Sequence, residues 1–267
     1  MFVIKYGGSF MDSPEAGGDG GVARDVVSLA GEGMGPVLVH GGGKAITRAL
    51  AEAGEAAEFV QGMRVTCEAA VRIVERVLSQ EINPQIVNTI NRLGGKAKGF
   101  SGTEIFACRK LWLSGPGGER LDPGFVGEVT GVQTEPLQEC VKNGIIPVVS
   151  PTARGLDGRI YNCNADVAAA EAAIALRAER LVFMSDVPGL LRDAKNPKTL
   201  IECLSSAEVE GLKKSGVIDR GMIPKVDSAV RAARAGVKEI FFVDGRLAHA
   251  LLLKMSVNGM MGTRIVL

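Results

Sequence analysis

Apolar residues along this chain fall into short continuous runs that alternate with longer segments, where they recur every three or four positions. The short runs predict buried strands, at 2–6, 37–39, 145–149, 181–184, 239–243 and 262–267. The longer segments predict amphipathic helices, at 22–30, 46–53, 66–93, 135–141, 165–178, 206–215 and 224–235. This alternation predicts an α/β protein whose mostly parallel sheet is covered by helices on both faces.

The segment 66–93 is the longest predicted helix. Thr66 is placed to cap it, with Glu68 in its first turn. Asn83-Pro84 predicts either a break or a restart, since proline is tolerated in a first turn but not in a helix interior. A broad apolar face on so long an element predicts burial against the sheet or a second subunit.

Two further stretches depart from regular alternation. Residues 97–125 are rich in Gly and Pro turns and predict short strands and hairpins. Pro147, inside the run 145–149, predicts an edge strand or a bulge. The turn Gly155–Gly158 predicts a boundary near residue 155, between an N-terminal lobe (1–155) and a C-terminal lobe (156–267).

Composition narrows the class of protein. The 267 residues are 46% hydrophobic, with 31 Lys plus Arg, 30 Asp plus Glu, and a net charge of +1. This balance gives no support for a nucleic-acid or membrane surface, and no run approaches the roughly 18 apolar residues of a spanning helix. The 5 cysteines lack a C-x-x-C pair and there are 2 histidines, which predicts free thiols, a cytoplasmic location and no zinc site.

The first predicted strand runs into Lys5-Tyr6-Gly7-Gly8-Ser9. Glycines let backbone N–H groups approach a ligand closely, and the lysine adds a positive charge, a combination suited to a phosphoryl group. The alternative is a tight turn followed by a solvated lysine. A Walker loop is disfavoured, because Gly43-Lys44 and Gly95-Lys96 are each followed by Ala. A Rossmann dehydrogenase is also disfavoured, because no G-x-G-x-x-G follows a strand.

A second glycine-rich turn, His40-Gly41-Gly42-Gly43, joins a strand to a helix. N–H groups at a helix start, with the dipole behind them, form an anion site. A loop that serves only tight packing is the alternative. His40 is interpreted as a structural residue at the strand end and not as a catalytic base.

Polar residues before two helices are further candidates. The guanidinium of Arg64 could hold a carboxylate with two hydrogen bonds, or lie on the surface. In the segment 161–166, Asn164 could cap a helix, which leaves Asn162 as an amide donor and Asp166 as a group that orients lysines. The same residues could also serve capping alone.

Two candidates lie in the C-terminal part. Ser185-Asp186-Val187-Pro188-Gly189 follows a predicted parallel strand, and α/β proteins bind ligands at the carboxyl ends of such strands. Lys225 lies in the first turn of a helix, where a cation opposes the helix dipole, so a functional role is expected for it.

Taken in order, these segments resemble the amino acid kinase family over essentially the whole chain. The segments that carry the resemblance are Lys5-Tyr6-Gly7-Gly8, Val39-His40-Gly41-Gly42-Gly43, Gly62-Met63-Arg64-Val65-Thr66, Asn162-Cys163-Asn164-Ala165-Asp166, Ser185-Asp186-Val187-Pro188-Gly189 and Gly221-Met222-Ile223-Pro224-Lys225-Val226. The resemblance implies a three-layer αβα sandwich in two lobes, the first holding an acyl substrate and the dimer contact, the second holding ATP.

The resemblance also implies residue roles. Lys5 and Lys225 match transition-state lysines, and Asp166 matches the aspartate that organises them. The matches to acyl-substrate contacts are Gly42, Gly43, Arg64 and Asn162. The matches to residues near the nucleotide are Gly7, Gly8, Asp186, Val187, Pro188, Gly189, Leu190, Leu191, Val217, Ile218 and Asp219.

The implied reaction is ATP-dependent phosphorylation of the γ-carboxylate of N-acetyl-L-glutamate in arginine biosynthesis, with Mg²⁺ carried by the nucleotide. A homodimer is expected, and a PII-type signal protein is left open but not favoured as a partner. The alternatives are a lysine-pathway kinase acting on carrier-protein-bound aminoadipate or glutamate, and a non-catalytic amino-acid sensor on the same fold. Departures from the family pattern at Phe10, Arg220 and 103–105 leave the acyl substrate less sharply defined.

Overall fold

The computed structural model describes residues 1–7, 21–219, 221–256 and 262–267. The described strands are β1 (Phe2–Tyr6), β2 (Pro36–His40), β3 (Phe59–Val60), β4 (Met63–Arg64), β5 (Ala97–Phe100), β6 (Phe106–Lys110), β7 (Leu113–Ser114), β8 (Arg120–Leu121), β9 (Gly127–Val132), β10 (Ile146–Val149), β11 (Thr152–Gly155), β12 (Ile160–Asn162), β13 (Arg180–Ser185), β14 (Cys203–Ser205), β15 (Glu239–Asp244) and β16 (Thr263–Val266).

The described helices are α1 (Gly21–Gly31), α2 (Gly43–Glu52), α3 (Glu68–Glu75), α4 (Asn83–Arg92), α5 (Gly102–Ile105), α6 (Glu135–Lys142), α7 (Ala165–Ala175), α8 (Val209–Lys214), α9 (Met222–Arg234) and α10 (Ala250–Ser256). A π-helical segment, Arg76–Ile82, joins α3 to α4, and a 3-10 turn spans Pro197–Thr199.

One sheet of eight strands runs through the molecule in the order β14-β16-β15-β13-β1-β2-β10-β5. Six of these strands are parallel, and β16 with its parallel neighbour β14 runs against them. The strand β1 lies between β2, the next strand along the chain, and β13, a strand from much later in the chain, so the strand order changes direction at β1. This mostly parallel sheet is the one predicted from the apolar runs.

The two faces of the sheet are buried by different sets of helices. On β1, the side chains of Phe2 and Ile4 belong to a core with α1, α2, α3, α4 and α10. Val3, which points to the other face, belongs to a core with α6, α7 and α9. The helix α7 is rich in alanine, so it packs closely on β1 and α9. These layers confirm the three-layer αβα sandwich.

A second sheet of four strands, in the order β12-β11-β6-β9, lies beside the core on the α7 side. The structure also has two short antiparallel hairpins, β3–β4 and β7–β8. The Nε2 atom of Gln61 donates to the carbonyl oxygen of Ser114 at 2.6 Å, which ties the two hairpins together.

The long helical region begins one residue later than predicted and does not break at its proline. Cys67, not Thr66, is the N-cap, and its Sγ accepts from the N–H of Ala70 at 3.4 Å. Thr66 is fully buried, and its hydroxyl donates to the carbonyl oxygen of Arg64 at 2.8 Å and accepts from Nδ2 of Asn162 at 3.3 Å, so it does not cap the helix. Pro84 follows the π-helical segment at the start of α4, which is the restart that was one of the two predicted outcomes.

The prediction that Pro147 marks an edge or a bulge is wrong. The strand β10 lies inside the sheet, between β2 and β5. Its pairing with β2 starts at Val148, directly after the proline, which has no N–H to donate. The full ladder of β10 is made with β5.

The proposed boundary near residue 155 falls at the end of β11, inside the four-stranded sheet. The eight-stranded sheet takes strands from both sides of this point. The division into two lobes therefore stays a prediction. Among the described residues, we find no helix with the length and apolar character needed to cross a membrane.

Candidate active site

A cleft of about 550 Å³ opens at the carboxyl ends of β1, β2 and β13. These strands meet at the point where the strand order of the sheet changes direction, which is where open α/β sheets bind ligands. Three helices, α2, α7 and α9, begin at the cleft wall, and α2 and α9 have no side-chain cap. At the start of α9 the N–H groups of Met222 and Ile223 donate to the carbonyl oxygen of Asp219, at 2.7 and 3.2 Å, which takes the place of a side-chain cap.

One carboxylate oxygen in the cleft holds both predicted lysines. Oδ1 of Asp166 lies 3.1 Å from Nζ of Lys5 and 3.0 Å from Nζ of Lys225. The side chains of Lys5, Asp166 and Lys225 are 13%, 13% and 9% exposed, so solvent screens these contacts little. We call this the Lys5–Asp166–Lys225 cluster; it carries one positive charge in excess.

Local structure positions each member of the cluster. Lys5 is the fourth residue of β1, close to the strand's carboxyl end. Asp166 lies in the first turn of α7, whose dipole favours a carboxylate, and Asn164 caps that helix by accepting from the N–H groups of Asp166 and Val167. Asn164 is thus the cap that the sequence predicted.

Lys225 has the least favourable surroundings of the three. It lies near the start of α9, and its Nζ is 5.6 Å from the ring centroid of Phe183. Burial lowers the pKa of Lys225, Asp166 opposes that effect, and Lys5 adds to it. Burial also acts to raise the pKa of Asp166, but the two ammonium groups outweigh it and lower that pKa to about 2. Asp166 is therefore ionised at neutral pH.

Arg64 is buried in the wall of the cleft, contrary to the alternative that it lies on the surface. Its Nη2 donates to the carbonyl oxygen of Gly43 at 3.1 Å and to Oγ1 of Thr47 at 2.8 Å. Its Cζ lies 4.6 Å from the ring centroid of Phe59. Burial lowers the pKa of the guanidinium. Its Nη1 is buried with no hydrogen-bond partner among the described residues, so the group retains capacity for another acceptor.

The glycine turn before α2 combines packing with open space. A Cβ on Gly42 would meet the side-chain ends of Leu78 and Ile82 at 2.6 Å, whereas one on Gly43 would meet nothing within 4 Å. Both glycines line the cleft. The turn therefore serves tight packing at one residue and access to the cleft at the next.

His40 is a structural residue, as interpreted from the sequence. It is fully buried, its Nδ1 bonds the carbonyl oxygen of Gly41 at 2.9 Å, and its Nε2 bonds Nδ2 of Asn83 at 3.2 Å. Burial lowers its pKa to about 4, against the weaker effect of the Gly41 bond. The imidazole is neutral at pH 7 and is not among the residues that line the cleft.

Asn162, the last residue of β12, also lines the cleft. Its Nδ2 donates to Oγ1 of Thr66 at 3.3 Å, and its backbone N–H donates to the carbonyl oxygen of Phe125. These bonds place an amide in the wall next to the strand that carries Arg64.

The remaining predicted positions divide into three groups. Gly7, Asp186, Val187 and Asp219 line the cleft. The described residues that do not line it are Pro188, Gly189, Leu190, Leu191, Val217 and Ile218, of which Leu190 and Ile218 have side chains buried in the core. The positions that lie outside the described residues are Gly8, Phe10 and Arg220.

Sequence reasoning missed several parts of the wall. Phe59 is 57% exposed and lines the cleft from the β3–β4 hairpin, and Lys44 lines it from the first turn of α2. Strands of two residues, such as β3, give no readable alternation, so nothing in the sequence indicated the role of Phe59. The cleft position of Lys44 follows from the glycine turn and could have been inferred from it.

Comparison with known proteins agrees with this geometry. The model of the amino acid kinase family matches residues 1–244. An acetylglutamate kinase from Akkermansia muciniphila is 45% identical over 266 residues, covering 99% of this chain and 89% of that protein. One from Methanocaldococcus jannaschii is 43% identical over 271 residues, covering 99% and 90%.

A solved N-acetylglutamate synthase from Neisseria gonorrhoeae has a similar fold, with a TM-score of 0.84 at 23% identity over 100% of this chain and 59% of that one. The fold and cleft are those of a phosphotransferase, and the chain belongs to the amino acid kinase family. Within that family, the relatives described above are acetylglutamate kinases, so the resemblance read from the sequence is confirmed.

Proposed function

We propose that this protein transfers the γ-phosphoryl group of ATP to the γ-carboxylate of N-acetyl-L-glutamate. The product is N-acetyl-L-glutamyl 5-phosphate, and the reaction is the second step of arginine biosynthesis. The proposal is supported by full-length similarity to acetylglutamate kinases at 43–45% identity. The observation that carries it is the Lys5–Asp166–Lys225 cluster in a cleft that also holds a buried arginine.

The chemistry requires no general base. A γ-carboxylate is already ionised at neutral pH and can attack the phosphoryl group directly. This agrees with a cleft whose nearby histidine, His40, is buried, neutral and bonded to structural partners.

The two lysines neutralise charge on the transferred group. Phosphoryl transfer depends on in-line positioning and on stabilising charge at the peripheral oxygens of the phosphoryl group. Asp166 holds Lys5 and Lys225 on one oxygen atom, so both ammonium groups are fixed before the reactants bind. Such fixed charges act most strongly on the transition state, because they need no reorganisation as the charge develops.

Mg²⁺ carried by the nucleotide would supply neutralisation of phosphate charge at this site. Both ammonium groups already contact Oδ1 of Asp166, so that oxygen is not a free ligand. Among the described residues, no group of three or more His, Cys, Asp or Glu side chains lies where it could hold a metal ion.

The substrate carboxylates and the acyl group take the other side of the cleft. Arg64 offers a guanidinium with an unpartnered nitrogen, and the open space at Gly43 lets the backbone approach the ligand. Asn162 adds an amide in the same wall. The nucleotide takes the side of Gly7, Asp186 and Asp219, the last two of which belong to the segment 156–267.

We further propose a homodimer formed through the long helical region α3–α4 and a cytoplasmic location. The apolar faces of α3 and α4 are buried in the core beside the sheet, and their exposed polar residues face away from it, where a second subunit would lie. Free thiols, as predicted for all five cysteines, suit a reducing compartment.

One assay tests the function. ATP-dependent hydroxamate formation is measured in parallel with N-acetyl-L-glutamate, L-glutamate, L-aspartate and carbamate, with Lys225→Ala as the impaired control. We expect activity with the acetylated substrate, lowered about hundredfold in the control. Activity with L-glutamate but not with N-acetyl-L-glutamate, or no activity with any acceptor, overturns the proposal.

A further inference from the structure

The guanidinium of Arg64 donates hydrogen bonds to the second helix, α2. Nη2 donates to Oγ1 of Thr47 at 2.8 Å and to the carbonyl oxygen of Gly43 at 3.1 Å. The ring of Phe59 covers one face of the planar group at 4.6 Å. Together these contacts connect the β3–β4 hairpin to the first turns of α2 across the cleft wall.

The hydroxyl of Thr47 is oriented to accept this bond. Its single proton is donated to the carbonyl oxygen of Gly43 at 2.9 Å, one turn earlier in the helix. Both oxygen lone pairs are therefore turned away from that carbonyl, and one accepts the N–H of Arg64. A valine has nearly the same shape as threonine but can make neither bond.

Thr47 is an exposed residue of a helix, and its contacts with Gly43 and Arg64 are the hydrogen bonds its hydroxyl makes in the described structure. Threonine has a lower helix propensity than alanine, lysine or glutamate. Helix stability thus does not explain why a threonine occupies position 47, whereas its hydrogen bond to the buried Arg64 does.

We propose that Thr47 is a positioning residue for the acyl substrate: it fixes the guanidinium of Arg64 in the orientation that binds a substrate carboxylate. This inference rests on the proposed function. Without the hydroxyl, Nη2 keeps one of its two acceptors, and the guanidinium gains rotational freedom that substrate binding must then remove. The cost falls on substrate binding and not on phosphoryl transfer, because Thr47 does not contact the Lys5–Asp166–Lys225 cluster.

The test compares Thr47→Val with Thr47→Ser. Thr130→Val, a substitution of an exposed threonine in β9 away from the cleft, is the matched control. We expect Thr47→Val to raise KM for N-acetyl-L-glutamate about tenfold, a size set by losing one of two bonds to a charged group. Its kcat and its KM for ATP should stay within about twofold, and serine and the control should behave like the unaltered protein.

A second measurement does not depend on turnover. Modification of Arg64 by 2,3-butanedione is followed by peptide mass spectrometry in the same three variants. A guanidinium released by Thr47→Val should react several-fold faster, and Thr47→Ser should restore the protection. Melting temperatures establish that all variants are folded.

The outcomes separate the two proposals. If the unaltered protein phosphorylates N-acetyl-L-glutamate and Thr47→Val leaves its KM unchanged, the role of Thr47 is refuted and the proposed function stands. If no phosphorylation occurs, the proposed function fails, and the butanedione rates alone decide whether Thr47 holds Arg64. A fall in kcat with an unchanged KM also refutes positioning.

Discussion

The Lys5–Asp166–Lys225 cluster allows a quantitative prediction. Asp166→Asn keeps the shape of the side chain and removes its charge, so asparagine imitates the protonated acid. Lowering the pKa of Asp166 from its usual 3.8 to about 2 corresponds to about 2.4 kcal/mol, at about 1.36 kcal/mol for each unit of pKa. We therefore expect the substitution to lower the free energy of unfolding at pH 7 by about 2 kcal/mol.

The pH dependence follows from the direction of the shift. Because folding depresses this carboxyl pKa, the stabilisation is complete above pH 3.8 and is lost as the pH falls through about 2. The difference between the unaltered protein and Asp166→Asn should thus be constant from pH 7 to about 5. At pH 3 it should be about half its neutral value.

Urea unfolding followed by circular dichroism across this pH range measures the effect. The control is Asp227→Asn, which removes one of the two carboxylate partners of Lys213 near the surface and should cost less than about 1 kcal/mol. The reasoning is refuted if Asp166→Asn is as stable as the unaltered protein at pH 7. It is equally refuted if the two differ by the same amount at pH 3 and pH 7.

Two further substitutions test the cleft. Lys225→Ala should keep the fold, since Asp166 retains Lys5 as a partner. In steady-state assays it should lower kcat about hundredfold and leave KM for the acyl substrate within about tenfold of its original value. A kcat near that of the unaltered protein removes Lys225 from the mechanism. Gly42→Ala should lower the free energy of unfolding by about 1–3 kcal/mol, because its Cβ would lie 2.6 Å from Leu78 and Ile82. Gly43→Ala, with open space around its Cβ, is the control in the same urea experiment, and equal losses in both variants contradict this account.

The main sheet was predictable because its inner strands are short apolar runs that need no tertiary information to read. β1, β2, β13 and β15 are of this kind. Short strands such as β14 were not predicted, since three residues carry too little pattern. Cys67 caps the helix instead of Thr66, because the N–H of Thr66 donates to Pro123 and its hydroxyl donates to Arg64. Residue propensities do not predict such contacts.

The candidate site was predictable where one residue type in one local context limits the chemistry. Lys5 after a strand and Asp166 at a helix start are such cases, and the structure brings both to one cleft with Lys225. Phe59 and Thr47 were missed because their importance lies in contacts with Arg64, which only the folded chain creates. Thr47 and Arg64 are 17 residues apart in different elements.

The position of β1 in the centre of the sheet has a consequence for synthesis of the chain. Its two neighbours are β2 (Pro36–His40) and β13 (Arg180–Ser185). One edge of β1 can therefore pair with β2 early in synthesis, whereas the other edge has no partner strand until β13 has been made. At about 5–20 residues per second, the ribosome needs about 10–40 s to go from β1 to β13. Throughout that interval the nascent chain exposes an unpaired apolar strand edge, the kind of surface that chaperones protect. Lys5 gains its carboxylate partner only when Asp166 has been made, and the second lysine comes later still, so the charges of the cleft are among the last features to assemble.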